Sequence, residues 1–495
     1  MTPAPALMVQ GTASGVGKSW MVAALCRLFS RHGVHVCPFK AQNMSNNAAV
    51  TASGGEVGRA QAVQAVAAGV ELDERMNPVL LKPLADTRSE VIVLGRSRPD
   101  LSRVPWMERK RLLWDVVRQS LDDLRRECDL VVIEGAGSPA EINLRAGDIV
   151  NMAVARAASA PVLLTADIDR GGAFASLLGT WELMDATDRR YVKGFVLNRF
   201  RGDAGLLRAA PEELLRRTEI PVVGVVPFVN ARLPAEDAAE LDWFPDADRA
   251  STEVRIAAVH LPHVANFDDL APLSCAEAVR VEWTRRPQGM TGADAVIIPG
   301  TRNTLADLRW MWESGLAEAV RRAASRGVPV LGICGGLQML GWSVSDTEGI
   351  EGGGAMPALG LLDVDTEFEA GKITMRTRAR IVEHGDDIGG VQVDGYEIHH
   401  GRTTALGEET EVWMVDREDP DRVLGFRRGK VFGTYLHGIF SSDAFRRAWL
   451  RDLGVSSESG RGRGSLDEAL DLAAEAVEEA IGLERLEAIV GAGAP

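Results

Sequence analysis

Cysteine is scarce and scattered. Cys26, Cys37, Cys128, Cys275 and Cys334 are spread over 495 residues, with no CxxC pair and no regular spacing. That excludes a disulfide scaffold and fits a reducing cytoplasm. Long apolar runs are absent as well. No uninterrupted run approaches the ~20 residues that cross a bilayer, so no membrane partner is expected. The stretch Met1 to Gln10 has no basic segment followed by a long apolar one and does not read as a signal peptide. Positive charge is in deficit: the net charge of −15 argues against nucleic acid as the main partner. It leaves room for an anionic small substrate held in a locally basic cleft. Histidines at metal-ligand spacing are lacking too. His260 and His263 are split by Pro262, His399 and His400 are adjacent, and no third ligand accompanies either pair. No internal repeat occurs at a fixed period, and a homo-oligomer is compatible with the sequence without being indicated by it.

What remains is ordinary globular composition, 46% hydrophobic and 25% charged, in a chain too long for one core. Short apolar β-branched runs alternate with longer helical stretches, the pattern of a mostly parallel α/β sheet. Ala6 to Gln10 is predicted as a strand and Gly17 to His32 as the helix after it. Further strands are predicted at 130–133, 161–165, 192–197 and 222–226. An acidic, aperiodic stretch from Ala235 to Ser251 marks a boundary. A second strand series follows at 254–259, 295–298, 328–333 and 430–436. The expected units are therefore 1–240, 251–445 and a tail, 446–495. The tail combines a linker, Ser456 to Ser465, with a peripheral helix over Leu466 to Val490.

Two segments carry chemistry. The first is Gly11-Thr12-Ala-Ser-Gly15-Val16-Gly17-Lys18-Ser19, a glycine-rich loop between a strand and a helix. Such a loop aims backbone N–H groups and a helix N-terminus at phosphate. Thr12, Gly15, Val16 and Gly17 would cradle ATP, Lys18 would neutralise its outer phosphates, and the Ser19 hydroxyl would bind Mg²⁺. Thr12 stands where the usual consensus has a glycine, and this form resembles the dethiobiotin-synthetase-like variant of the P-loop class. Glu134, ending the strand at 130–133, is the expected second metal ligand. Asn198 ends another strand, and the resemblance implies a contact with adenine there; a simple turn role is the alternative.

The second segment is Gly332-Ile-Cys334-Gly335-Gly336. Small residues let the chain turn sharply from strand to helix and present the thiol beside helix N–H groups. His437 ends an apolar strand, where a general base would stand. Gly300 and Gly335 are the expected oxyanion donors. No acid follows two residues after His437, since Ile439 is there. Glu397 is near in sequence, and the group that orients His437 stays unassigned.

With these residues in view, the second unit resembles a class I glutamine amidotransferase domain of the cobyric-acid-synthase type. The first unit carries further matching segments: Lys40-Ala-Gln42-Asn43, Gly58-Arg59-Ala-Gln61, Met76-Asn77-Pro, Lys82-Pro, Glu134-Gly-Ala-Gly and Asp167-Ile-Asp169-Arg170. The resemblance spans about residues 6 to 450. It implies a P-loop synthetase domain of parallel-sheet type joined to an α/β amidotransferase domain. It also implies ATP, Mg²⁺, glutamine and a corrinoid acceptor. The implied reaction is amidation of the b, d, e and g carboxylates of adenosylcobyrinic acid a,c-diamide. Ammonia would be released at Cys334 and an acyl phosphate formed at the loop. Lys40, Gln42, Asn43, Arg59, Lys82 and Arg170 would bind substrate, with a solvated surface charge as the alternative for each of the basic ones. Two other readings stay open: the same chemistry on a different polycarboxylate, as in the a,c-diamide synthase, and a P-loop switch ATPase with an inactive amidotransferase domain.

Overall fold

The computed structural model describes residues 3–85, 88–229, 233–234, 254–276, 278–385, 388–455 and 466–494. The expected boundary at Ala235 to Ser251 and the expected linker at Ser456 to Ser465 lie outside these residues.

The first unit is built on six parallel strands. Their order is Val222–Pro227, Val192–Phe200, Val162–Asp167, Ala6–Gly11, Leu130–Glu134 and Val36–Phe39. Successive side chains of a strand point to opposite faces. Ala6 and Met8 thus join one core with Leu113, Val117 and Leu121 of the helix Trp106–Glu127. Leu7 and Val9 join another with Met21, Val22 and Leu25 of the helix Lys18–Arg31. Cover on both faces is why these strands read as unbroken apolar runs. A smaller sheet, Gln42–Met44, Val79–Ala85, Arg88–Val93 and Arg96–Ser97, leans towards the second unit, as does the strand pair Ala48–Val50 and Glu56–Gly58.

In the second unit, five parallel strands lie in the order Val279–Thr284, Val254–Val259, Ala295–Ile298, Val330–Ile333 and Val431–Thr434. The sheet continues through antiparallel strands, Val423–Arg428, Glu411–Asp416 and Val364–Ile381. Gln392–Ala405 pairs with the last of these as a long hairpin.

The tail differs from a peripheral helix. Helix Asp443–Asp452 crosses the expected edge at 445 and belongs to the second unit, where Phe445, Ala448, Trp449 and Leu450 are buried at helical spacing. Two helices, Leu466–Ile481 and Leu483–Ala492, then return to the first unit. Leu470, Ala473, Ala474, Val477, Ile481 and Leu486 are part of its core, and Arg27 pairs with Asp471 at 2.7 Å. Among the described residues no helix is long and apolar enough to cross a membrane.

The units meet across a small apolar cluster, Ala48, Val50, Leu80 and Ile92 from the first against Tyr396 and Ile398 from the second. Beside it lies a group of buried charges. Glu56 pairs with Lys82, Lys372 bridges Glu56 (2.7 Å) and Glu90 (3.1 Å), and Arg302 pairs with Glu90.

Candidate active sites

Two sites form at the C-terminal edges of the two parallel sheets, where ligands bind in α/β folds.

In the first unit the register sets Val9 beside Glu134 and Gly11 beside Thr165, so the loop, Glu134 and Asp167 share one edge. Thr12 extends the ladder by donating its N–H to Thr165 O at 3.0 Å. Gly17 has φ +93°, and a Cβ there would run into the Asn198 amide. Lys18 folds back over the loop, donating to Ala13 O (2.9 Å) and Gly137 O (3.1 Å). Ser19 Oγ donates to Glu134 Oε1 at 2.8 Å, which brings together the two residues expected to hold the metal. A hydroxyl and a carboxylate converging at a buried strand end are hard oxygen donors of the kind Mg²⁺ takes, so the donor set fits that ion. Lys40 Nζ lies 2.7 Å from the same Glu134 Oε1, and Gln64 Nε2 donates to Oε2 at 2.5 Å.

Asn198 is placed as a brace of the loop. Its Nδ2 donates to Val16 O (3.0 Å), and its Oδ1 accepts from Arg199 N (2.9 Å). Both ends of the amide are thus used within the protein. Arg199 was not anticipated. Held at φ +61°, it donates to Gly15 O at 3.0 Å and pairs with Asp167 at 2.9 Å. Arg170, largely exposed, stands 3.3 Å from Asp167 and beside Gly15.

In the second unit, Cys334 joins the strand Val330–Ile333 to the helix Gly335–Leu340 with φ +53° and ψ −109°. A non-glycine residue in this region is strained, and such strain recurs where a nucleophile is presented on a sharp turn. The turn is tight enough that a Cβ on Gly332 would lie 2.5 Å from the Gly336 backbone. Cys334 N donates to Thr434 O at 2.7 Å, and its Sγ lies 3.5 Å from Ile398 O. Gly300, paired with Ala265, sits against both side chains: a Cβ there would be 3.1 Å from His437 Cε1 and 3.7 Å from Cys334 Cβ. Gly335 packs against Thr301.

His437 is buried, and its ring and Cys334 lie against the same glycine, Gly300. The group that orients it is Asp269. His437 Nδ1 donates to Asp269 Oδ2 at 2.7 Å, and Gly438 N donates to Asp269 Oδ1 at 2.8 Å. Nδ1–H on the carboxylate leaves Nε2 for the thiol. Burial disfavours charge on this imidazole, but the Asp269 carboxylate and Cys334 outweigh it and raise the pKa to about 10. The site therefore favours a protonated imidazole at His437. Glu397 is elsewhere, accepting from Thr377 Oγ1 (2.6 Å) and Arg422 Nη2 (2.7 Å). His260 and His263 turn to different partners, Arg285 and Asp307, and no metal-holding cluster occurs among the described residues.

Of the remaining residues expected at substrate, Gln42 and Asn43 lie buried on one strand, with Asn43 Nδ2 donating to Gln61 Oε1 at 3.2 Å. Arg59 pairs with Asp268 at 2.7 Å, and Lys82 is buried against Glu56.

Comparison with known proteins follows the same division. Residues 7–239 match the CobQ/CobB/MinD/ParA nucleotide binding domain, and residues 255–445 match the CobB/CobQ-like glutamine amidotransferase domain. The chain is 51% identical to the cobyric acid synthase of Deinococcus radiodurans, over 98% of this chain and 100% of that protein. It is 48% identical to that of Methylibium petroleiphilum (90% and 91% covered) and 47% to that of Desulfitobacterium hafniense (90% and 88%). With both units matched and relatives this similar over nearly their whole length, the chain belongs to the cobyric acid synthase family.

Proposed function

We propose that this chain converts adenosylcobyrinic acid a,c-diamide to adenosylcobyric acid, amidating the b, d, e and g carboxylates with ATP and glutamine. The observation that supports this most directly is the pairing in one chain of the Cys334–His437–Asp269 triad with the Ser19–Glu134 phosphate loop. A cytoplasmic enzyme is the reading that fits its free cysteines.

In the second unit, the Cys334 thiolate attacks the glutamine carboxamide carbon. The N–H groups of Gly300 and Gly335 are our candidates for stabilising the oxyanion. His437 Nε2 gives its proton to the departing nitrogen, so ammonia leaves and a γ-glutamyl thioester stays on Cys334. His437, held by Asp269, then takes a proton from water, which hydrolyses the thioester to glutamate and restores the Cys334 thiolate beside protonated His437.

In the first unit, a peripheral carboxylate oxygen attacks the γ-phosphorus of ATP and ADP leaves. Activation is needed because a carboxylate is a poor acyl donor towards an amine. Ammonia then attacks the acyl phosphate and phosphate leaves. Thr12, Gly15, Val16 and Gly17 cradle the phosphates, and Lys18, released from Ala13 and Gly137, neutralises their charge. Mg²⁺, held by Ser19 and Glu134, would screen the transferring phosphoryl group. Asn198 and Arg199 fix the loop. Lys40, Gln42, Asn43 and Arg170 are our candidates for binding the substrate. Arg59 and Lys82 are engaged at the interface between the units.

The test is mass spectrometry of the corrinoid product. The a,c-diamide given ATP, Mg²⁺ and glutamine should gain four amides. Amidation of cobyrinic acid only at a and c would contradict the proposal, and ATP hydrolysis without amide formation would favour a switch ATPase.

A further inference from the structure

The His437 imidazole is held at its face as well as at its nitrogen. Asp269 fixes Nδ1, yet one hydrogen bond leaves a ring able to rock about its Cβ–Cγ bond. A second restraint comes from Tyr396, on the strand Gln392–Ala405. Its ring stacks on the His437 ring, with centroids 5.2 Å apart and planes 18° from parallel. The two residues are also tied through the backbone. His437 N donates to Tyr396 O at 2.9 Å, and Tyr396 N donates to His437 O at 3.3 Å. Gly395 permits this approach, because a Cβ there would run into His437 O.

The ring of Tyr396 is engaged and its hydroxyl is not. The residue is 8% exposed, and its hydroxyl has no hydrogen-bond partner among the described residues. Burial, with Asp268 and Asp269 nearby, holds the phenol pKa well above its ordinary value, so the ring stays neutral. An aromatic face carries partial negative charge and attracts a cation within about 6 Å. It therefore favours imidazolium over neutral imidazole. The charged groups around His437 are Asp269 and Asp268 on the turn Phe267–Leu270, Cys334 on the elbow, and Arg59, which pairs with Asp268 at 2.7 Å. Of these, Cys334 loses its charge when it is acylated. The Tyr396 face is the same before and after that step.

We propose that Tyr396 is a positioning residue for glutamine hydrolysis: the face of its ring holds His437 in the plane set by Asp269 and favours the protonated imidazole that gives its proton to the departing nitrogen. This role rests on the functional reading above.

The experiment measures glutamate release from glutamine by the full chain across pH, beside amidation from ammonium salts and the unfolding midpoint. It compares the wild type with Tyr396→Leu, Tyr396→Met and Tyr396→Phe. Tyr396→Leu should lower kcat by about ten- to hundredfold with little change in KM for glutamine. The alkaline limb of its kcat profile should move to lower pH by about half a unit, because the protonated imidazole is then lost sooner as pH rises. Ammonium-dependent amidation should stay near the wild-type rate. Tyr396→Met fills the space with a flexible apolar chain and is read by the same criteria, which separates the ring from its bulk. Tyr396→Phe keeps the ring and should restore most of kcat and the wild-type limb. An undiminished kcat in Tyr396→Leu and Tyr396→Met overturns the proposal. A loss in Tyr396→Phe as large as in Tyr396→Leu also overturns it, since that assigns the role to the hydroxyl. Equal loss of glutamine- and ammonium-dependent amidation with the limb unmoved, or loss of the folded state in both aliphatic variants, overturns it too. Either marks a packing role between the units, where Tyr396 meets Ala48 and Ile92. A wild type that releases no glutamate fails the functional reading and the proposal with it, whereas failure confined to the variants leaves that reading standing.

Discussion

Asp269 decides how His437 behaves. Its carboxylate holds the imidazole by Nδ1 and, with Cys334, keeps it protonated at neutral pH against the opposing effect of burial. The folded-state pKa of about 10 lies above the ordinary 6.5. The associated stabilisation is therefore full below pH 6.5 and is lost as pH rises through 10. Asp269→Asn should flatten that loss in pH-dependent unfolding. It should also lower kcat for glutamine hydrolysis by about 10²- to 10⁴-fold, with little change in KM. Steady-state glutaminase assays check this, and an unchanged kcat would remove Asp269 from the account. Cys334 and His437 are legible in the sequence because glycines flank the one and an apolar strand precedes the other. Asp269 is not, since its partner is 168 residues away. The usable signal was its place: Asn266-Phe-Asp268-Asp269 follows the strand Val254–Val259 at the sheet edge that also carries Cys334.

Among the elements, the buried parallel strands were readable because apolar side chains fill both faces. The predicted helix from Gly17 to His32 differs from Lys18–Arg31 only at its ends. The hairpin of Val364–Ile381 and Gln392–Ala405 escaped detection. Glu367, Glu369, Lys372, Arg376 and Arg378 break its apolar pattern, because much of it faces solvent or the other unit. Two of those charges join the units. Lys372 reaches Glu56 and Glu90, and Arg376 Nε donates to Val50 O at 2.9 Å. Burial works against a charged Glu90, yet Arg302, Lys372 and Lys82 hold its carboxyl well below the usual range. This contribution is present above the ordinary carboxyl pKa and is lost as pH falls towards the folded value. Glu90→Gln would leave Arg302 and Lys372 short of a partner and should cost about 3–5 kcal/mol. Denaturant unfolding measures the cost, and a change below ~1 kcal/mol would show that the cluster is neutral to stability.

At the scale of the molecule, the chain closes on itself. Helices Leu466–Ile481 and Leu483–Ala492 complete the core of the first unit after the second has been made. Their helical periodicity was visible in sequence, but their docking partner was not, since periodicity gives a face and no address. The central claim is a division of labour, with nitrogen released at Cys334 and the acceptor activated at the Lys18 loop. The most direct measurement compares wild type and Cys334→Ser with glutamine and with ammonium salts, each with ATP and the a,c-diamide. The account predicts that Cys334→Ser loses glutamine-dependent amidation by about 10³-fold or more while ammonium-dependent amidation persists near the wild-type rate. Loss of both, or retention of both, would contradict it.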